Sequence, residues 1–118
     1  MKKNKSFLEA VINAFNGIRY FFLHEINGII QLAVAALAIA LAVGLRISTN
    51  EWLLVMVCIG FVIALEMLNT AIENLCNVVQ EEYHPIIKIV KDVAAAAVMW
   101  AAIVSVIIGL IIFLPKIL

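Results

Sequence analysis

Three long apolar runs constrain this chain more than any other feature of its sequence. The runs Ile29 to Leu45, Trp52 to Leu65 and Val93 to Leu114 contain no charged side chain. A helix needs about 20 predominantly apolar residues to cross a hydrocarbon layer of about 30 Å. The sequence therefore predicts an all-α integral membrane protein with three transmembrane helices.

The composition agrees with a bilayer as the solvent of this protein. Hydrophobic residues make up 66% of the chain and charged residues 14%, against roughly 45–50% and about 25% in soluble domains. The formal net charge is zero, and no basic run follows residue 5, so nucleic acid is not expected as a partner. The length predicts one domain, residues 1–118.

Before the first run, apolar residues recur at helical spacing. The stripe consists of Leu8, Val11, Ile12, Phe15, Ile18 and Phe22. Polar residues interrupt this segment too often for the apolar core of a signal peptide. An amphipathic helix on the membrane surface is expected over residues 1–25. The alternative is a helix packed against a soluble partner.

The organisation of the chain follows from these segments. Transmembrane helices are expected at about 28–46, 52–70 and 92–114, with the second continuing as a cytoplasmic helix to about 82. An internal loop from about Cys76 to Asp92 is expected to turn near Tyr83-His84-Pro85, because proline and its predecessor disfavour helix.

Basic residues in the short flanks predict the orientation. An N-terminus in the cytoplasm puts Lys2, Lys3, Lys5, Arg19, Lys88 and Lys91 inside, and leaves only Arg46 and Lys116 outside. Because basic residues favour the cytoplasmic side, the N-terminus is expected inside and the C-terminus outside.

A row of small residues in the third run bears on assembly. Ala97, Ala101, Ser105 and Gly109 recur at steps of four, a spacing that lets membrane helices approach closely. This pattern predicts an oligomeric helix bundle. The alternative is that the row packs within one chain.

Four polar residues share one face of the second long helix. Glu66, Asn69, Thr70 and Glu73 lie at positions i, i+3, i+4 and i+7. Glu66 is expected near the inner edge of the hydrocarbon layer, with Glu73 about 10 Å further toward water. An ionisable residue at such depth is a candidate functional residue. The alternative is that Glu66 only reaches toward the membrane surface or bonds across helices.

Other charged residues are expected near this row. Lys91 and Asp92 precede the third run, and Glu25 precedes the first. The set suits a magnesium-bound polyphosphate, since carboxylates bind Mg²⁺ and lysine neutralises phosphate. It also suits a proton or cation relay in a small oligomeric transporter, or assembly contacts in a larger complex. No soluble nucleotide-binding motif is present.

The combined motifs resemble one known family. Glu66-Met-Leu-Asn69-Thr70-Ala71-Ile72-Glu73, Glu82-Tyr83-His84-Pro85 and Lys91-Asp92-Val-Ala-Ala closely resemble the prokaryotic diacylglycerol kinases, together with the stretch from Gly17-Ile-Arg19 to His24-Glu25. This family comprises small three-span membrane lipid kinases and includes undecaprenol kinases. The resemblance covers nearly the whole chain.

The resemblance implies a role for each matching residue. Glu66 matches the general base that takes the proton of the lipid hydroxyl, and Asn69 and Arg19 match the lipid substrate site. Glu25 and Glu73 match the carboxylates that hold Mg²⁺ on the ATP phosphates. The remaining matches are to nucleotide contacts, namely Glu82, Tyr83, His84, Lys91 and Asp92.

The resemblance also implies the reaction and the setting. The expected reaction transfers the γ-phosphate of ATP to diacylglycerol and yields phosphatidic acid, with undecaprenol as the alternative acceptor. The family implies a homotrimer with shared sites in a bacterial inner or plasma membrane. One departure is expected to change lipid choice or ATP affinity. Many relatives carry arginine and a further polar residue after the glutamate, whereas this chain has Ile26-Asn27-Gly28-Ile29-Ile30-Gln31 there.

Overall fold

A computed structural model describes residues 6–118, which form four α-helices and no strand. The helices are α1 (Phe7–His24), α2 (Ile26–Gly44), α3 (Thr49–Val79) and α4 (Pro85–Ile117). The last three are long and apolar enough to cross a membrane. The prediction of an all-α protein with three membrane-spanning helices is confirmed. Lys2, Lys3 and Lys5, which entered the orientation argument, lie outside the described residues.

A sharp corner at Glu25 joins α1 to α2. Glu25 has an extended backbone and ends one helix while it precedes the next. Behind the corner, the ring of Phe21 is buried, and Gly28 lies against the Phe21 backbone. A Cβ atom at Gly28 would lie 2.2 Å from the Phe21 carbonyl oxygen. Glycine is therefore required where the two helices meet.

The opposite end of the bundle is held together by a cap and a small apolar core. Ser48 and Glu51 form a capping box at the start of α3, and Glu51 also accepts from Lys116 of α4 at 3.2 Å. Beside this ion pair, a buried cluster joins the three long helices; its members are Ala42, Ile47, Val55 and Ile112. Arg46, in the turn between α2 and α3, has a positive φ of 56°.

The connection between α3 and α4 is shorter than expected. The expectation of a loop from Cys76 to Asp92 is wrong, because α3 continues to Val79, α4 begins at Pro85, and only residues 80–84 lie between them. Pro85 occupies the first turn of α4, where a missing N–H costs nothing. His84 caps this helix, since its Nδ1 accepts from the Ile86 N–H at 3.1 Å. The proline thus begins a helix and does not break one.

The small-residue row of α4 faces partly into the chain. Ala101 is buried, Ser105 and Gly109 are half-buried and line a groove between helices, and Ala97 is exposed. The row therefore packs in part within one chain, as the alternative interpretation proposed. The oligomer stays a prediction.

We expect the Gly28→Ala substitution to destabilise the protein, because the added methyl group meets the Phe21 carbonyl oxygen. Overpacking of this kind costs about 1–3 kcal/mol. Thermal unfolding in detergent measures the change as a lower Tm. Gly60→Ala is the matched control, since a Cβ at Gly60 in α3 meets nothing within 4 Å. Equal Tm values for the two variants would contradict the prediction.

Candidate active site

The polar side chains in the α3 row are mostly buried, within a protein whose helices are otherwise largely apolar. Glu66, Asn69 and Thr70 are 9%, 6% and 7% exposed, and Glu73 is half-buried one turn further along the helix. Within residues 6–118, the Asn69 Oδ1 and Thr70 Oγ1 atoms have no hydrogen-bond partner. A buried polar atom without a partner costs about 1–3 kcal/mol. The row is therefore a candidate functional site, because buried polar groups without partners are rare in folded proteins.

Glu66 has a partner on another helix. The Nε2 atom of Gln31 in α2 donates to Glu66 Oε2 at 3.3 Å. The family resemblance assigns Gln31 no role, and in the sequence it is only the last residue of the stretch that departs from the family pattern. A signal was nevertheless present, because Gln31 is the one polar side chain in the apolar run from Ile29 to Leu45.

An open cleft of about 470 Å³ lies between α1 and the polar row of α3. Glu25 lines it from the corner between α1 and α2, and Thr70 and Asn74 line it from α3. The structure thus places Glu25, at the corner fixed by Gly28, across a cleft from the buried Thr70. Arg19 is exposed on α1 and does not line the cleft.

Lys91 of α4 is brought to the same helix face. Its Nζ atom donates to Asn77 Oδ1 at 2.7 Å, and Asn77 lies one turn beyond Glu73. Residues 11 apart on a helix share a face, so Asn77 extends the row that begins at Glu66. The expectation that Lys91 faces the polar row across the connection agrees with this contact.

The other residues matched to nucleotide contacts are exposed. Asp92 pairs with Lys88 of its own helix at 2.6 Å, and both side chains are more than half exposed. Glu82 and Tyr83 lie in the connection, and His84 caps α4. Within residues 6–118, no hydrogen bond or ion pair links this group to the polar row of α3.

The described residues contain no group of three or more His, Cys, Asp or Glu side chains arranged to hold a metal ion. This finding bears on Glu25 and Glu73, the carboxylates matched to magnesium binding. Mg²⁺ in phosphoryl-transfer sites is held by one or two carboxylates together with substrate phosphates and water. In the part of the chain described, neither carboxylate makes a hydrogen bond or ion pair. Two open carboxylates fit that mode of binding.

Comparison with known proteins identifies the family. Residues 12–113 match the family model of the prokaryotic diacylglycerol kinases. The chain belongs to this family. It is a membrane-embedded lipid kinase, and its family membership implies the use of ATP and a lipid as substrates.

Two relatives show the breadth of the family. The chain is 37% identical over 110 residues to the undecaprenol kinase of Bacillus subtilis, a match that covers 93% of this chain and 89% of the relative. It is also 37% identical over 106 residues to the diacylglycerol kinase of Synechocystis, covering 89% of this chain and 57% of that longer relative. Two lipid kinases named for different acceptors thus share the same identity with this chain over the matched residues, although the match covers more of the undecaprenol kinase.

We expect Asn77→Ala to raise the KM for MgATP about threefold to tenfold, because Lys91 loses the acceptor that holds its ammonium group. Steady-state kinetics with varied MgATP measures this change. Asn50→Ala, at an exposed asparagine in the first turn of α3, is the control. An unchanged KM in Asn77→Ala would show that the contact does not order Lys91 for the nucleotide.

Proposed function

We propose that this lipid kinase transfers the γ-phosphate of ATP to the hydroxyl group of diacylglycerol, with phosphatidic acid as the product. The observation that carries the proposal is the buried Glu66 carboxylate, held by Gln31 beside the unpartnered Asn69 and Thr70 oxygens. A carboxylate at this position in an apolar helix can meet a lipid hydroxyl at the edge of the hydrocarbon layer.

Glu66 acts as the general base in the proposed reaction. Its carboxylate accepts the proton of the lipid hydroxyl, and the lipid oxygen forms a bond to the γ-phosphorus of ATP. The bond from this phosphorus to the bridging oxygen of ADP breaks, and ADP leaves with that electron pair. The proton on Glu66 then passes to water. General-base catalysis of this kind typically contributes about 10²–10⁴ in rate.

The nucleotide binds toward the cytoplasmic end of α3. Glu73 lies about 10 Å from Glu66 along the helix axis, within reach of a polyphosphate whose terminal phosphate meets the lipid. Lys91, held on the α3 face by Asn77, neutralises phosphate charge. The exposed residues Glu82, Tyr83, His84 and Asp92 contact the rest of the nucleotide, and Arg19 and Asn69 contact the lipid.

Glu25 and Glu73 hold the Mg²⁺ ion of MgATP in this proposal. Their hard carboxylate oxygens suit this cation. Magnesium bound there offsets the charge of the phosphate oxygens during transfer.

The proposed setting is a bacterial inner or plasma membrane, with the N-terminus in the cytoplasm and the C-terminus outside. The balance of basic residues supports this orientation. We also propose a homotrimer with sites shared between subunits. The exposed apolar surface of the long helices supports association with further chains.

A specific observation makes undecaprenol the second candidate acceptor. The Bacillus subtilis relative named undecaprenol kinase matches this chain along nearly the full length of both proteins. The sequence Ile26-Asn27-Gly28, which lacks the arginine of many relatives, removes one donor from the neighbourhood of Glu25. Undecaprenol has only its hydroxyl to recognise, so it needs fewer polar contacts than the ester groups of diacylglycerol.

The decisive test is transfer of radiolabelled phosphate by the purified protein in lipid micelles. MgATP is supplied with diacylglycerol and undecaprenol in parallel reactions. Label in diacylglycerol supports the first proposal, and label in undecaprenol alone supports the second. Label in neither lipid, with the protein folded, contradicts lipid phosphorylation and favours a test of transport in sealed vesicles.

We expect Glu66→Gln to abolish turnover while nucleotide affinity stays within about twofold, because the base is lost and the phosphate contacts remain. Equilibrium binding of a labelled nucleotide measures the affinity. Glu51→Gln, the same substitution at the other end of α3, is the matched control and retains turnover. Turnover by Glu66→Gln would exclude Glu66 as the base.

We expect Glu73→Gln to raise the Mg²⁺ concentration needed for half-maximal activity by at least about tenfold, which corresponds to about 1.4 kcal/mol. The reason is that Mg²⁺ would keep only one of its two proposed carboxylate ligands, the one from Glu25. Titration of Mg²⁺ at fixed ATP measures the shift, with Glu51→Gln again as the control. An unchanged Mg²⁺ requirement would remove Glu73 from the proposed metal site.

A further inference from the structure

We propose that Gln31 is a positioning residue that holds the Glu66 carboxylate in place through its amide N–H group. The proposal rests on the function proposed above, in which Glu66 accepts the proton of the lipid hydroxyl. Its basis is the contact from Gln31 Nε2 to Glu66 Oε2 at 3.3 Å. This contact joins α2 to α3 between residues 35 positions apart in the sequence.

The location of Gln31 requires an explanation. Every other side chain between Ile29 and Leu45 is apolar. A polar side chain within a membrane span is costly unless it finds a partner. The partner that Gln31 has within the described residues is Glu66, a carboxylate that is itself 9% exposed. Gln31 therefore supplies a hydrogen-bond donor to the Glu66 carboxylate in an otherwise apolar surrounding.

An amide suits this task chemically. Donation to Oε2 restricts rotation of the carboxylate and leaves Oε1 as the acceptor for the lipid proton. Because the amide is neutral, it adds no charge beside Glu66. Gln31 keeps its own N–H protons throughout the reaction, so it affects the rate only through the orientation of Glu66.

Gln31 also borders the apolar space next to the base. It lines one end of a groove of about 350 Å³ between α2, α3 and α4, whose other lining residues are almost all apolar. Among them are Val62 and Ile63 of α3, which lie one turn before Glu66. The carboxylate is thus held by an amide that faces both the base and a space of hydrocarbon character.

The test is the Gln31→Met variant, which preserves side-chain length and removes both donors. The first span becomes more apolar, so membrane insertion is not impaired. We expect kcat to fall about tenfold to 100-fold, because a small displacement of a reacting group has an effect of this size. The KM values for MgATP and for the lipid should stay within twofold, since neither substrate loses a contact.

Ser105→Ala is the matched control, because Ser105 is a polar residue that lines the same groove from α4 without touching Glu66. Its kcat should equal that of the unchanged protein. Gln31→Leu is the second variant, and Tm in detergent is measured for all three. A merely structural contact would lower Tm and leave the kcat of the folded fraction intact.

Three outcomes overturn the inference. The first is a kcat within twofold of the unchanged protein in both Gln31 variants. The second is a raised lipid KM with unchanged kcat, which would make Gln31 a binding contact. The third is a loss of kcat in proportion to lost folded protein. An unchanged protein that phosphorylates neither lipid would instead contradict the proposed function, so the two failures are distinguishable.

Discussion

The hydrocarbon layer offers no hydrogen-bond partner, and this constraint decides where polar groups occur in the molecule. Each helix pairs its own backbone N–H and C=O groups. Only polar side chains therefore face the free-energy cost of hydrogen bonds that are not made. Such side chains are few within the apolar helices, and Gln31 donates one hydrogen bond to Glu66. Asn69 and Thr70 leave oxygens unpartnered within the described residues. The polar side chains on adjacent turns of α3 therefore form the candidate site on which the proposed function rests.

The lengths of the helices place this arrangement at one end of the bundle. At a rise of about 1.5 Å per residue, α3 and α4 exceed a layer of about 30 Å, whereas α2 barely spans it. One end of the bundle is tied by the Glu51–Lys116 ion pair and a small apolar core. The excess length therefore extends from the opposite end, where Asn77 and Lys91 meet. In the proposed orientation this end faces the cytoplasm, so that a single helix combines lipid depth with access for the nucleotide.

Much of this could be predicted from the sequence, because the determining patterns are local. The apolar runs predict three spans, and the spacing from Glu66 to Glu73 predicts a shared face. The contact with Gln31 could not be predicted, since it depends on how α2 lies against α3. The chain turns where Pro85 predicts, but the expected loop from Cys76 to Asp92 is too long, because Pro85 occupies the first turn of α4 and residues 85–92 are helical. The need for glycine at position 28 could not be predicted either, because it depends on how closely the Phe21 backbone of α1 lies against α2 in the folded chain.

The bonding of polar side chains separates structural from functional roles. Ser48 and His84 cap helices, and each is paired with a backbone N–H nearby in the sequence. Glu25, in contrast, occupies a cap position without making a side-chain cap bond, although the Glu25 corner is sterically fixed. A carboxylate that the fold positions but does not use is available to a ligand. Across the cleft, the Thr70 hydroxyl is likewise without a hydrogen-bond partner among the described residues, although it is buried. A polar group that the fold positions without pairing is thus found on both sides of the candidate site.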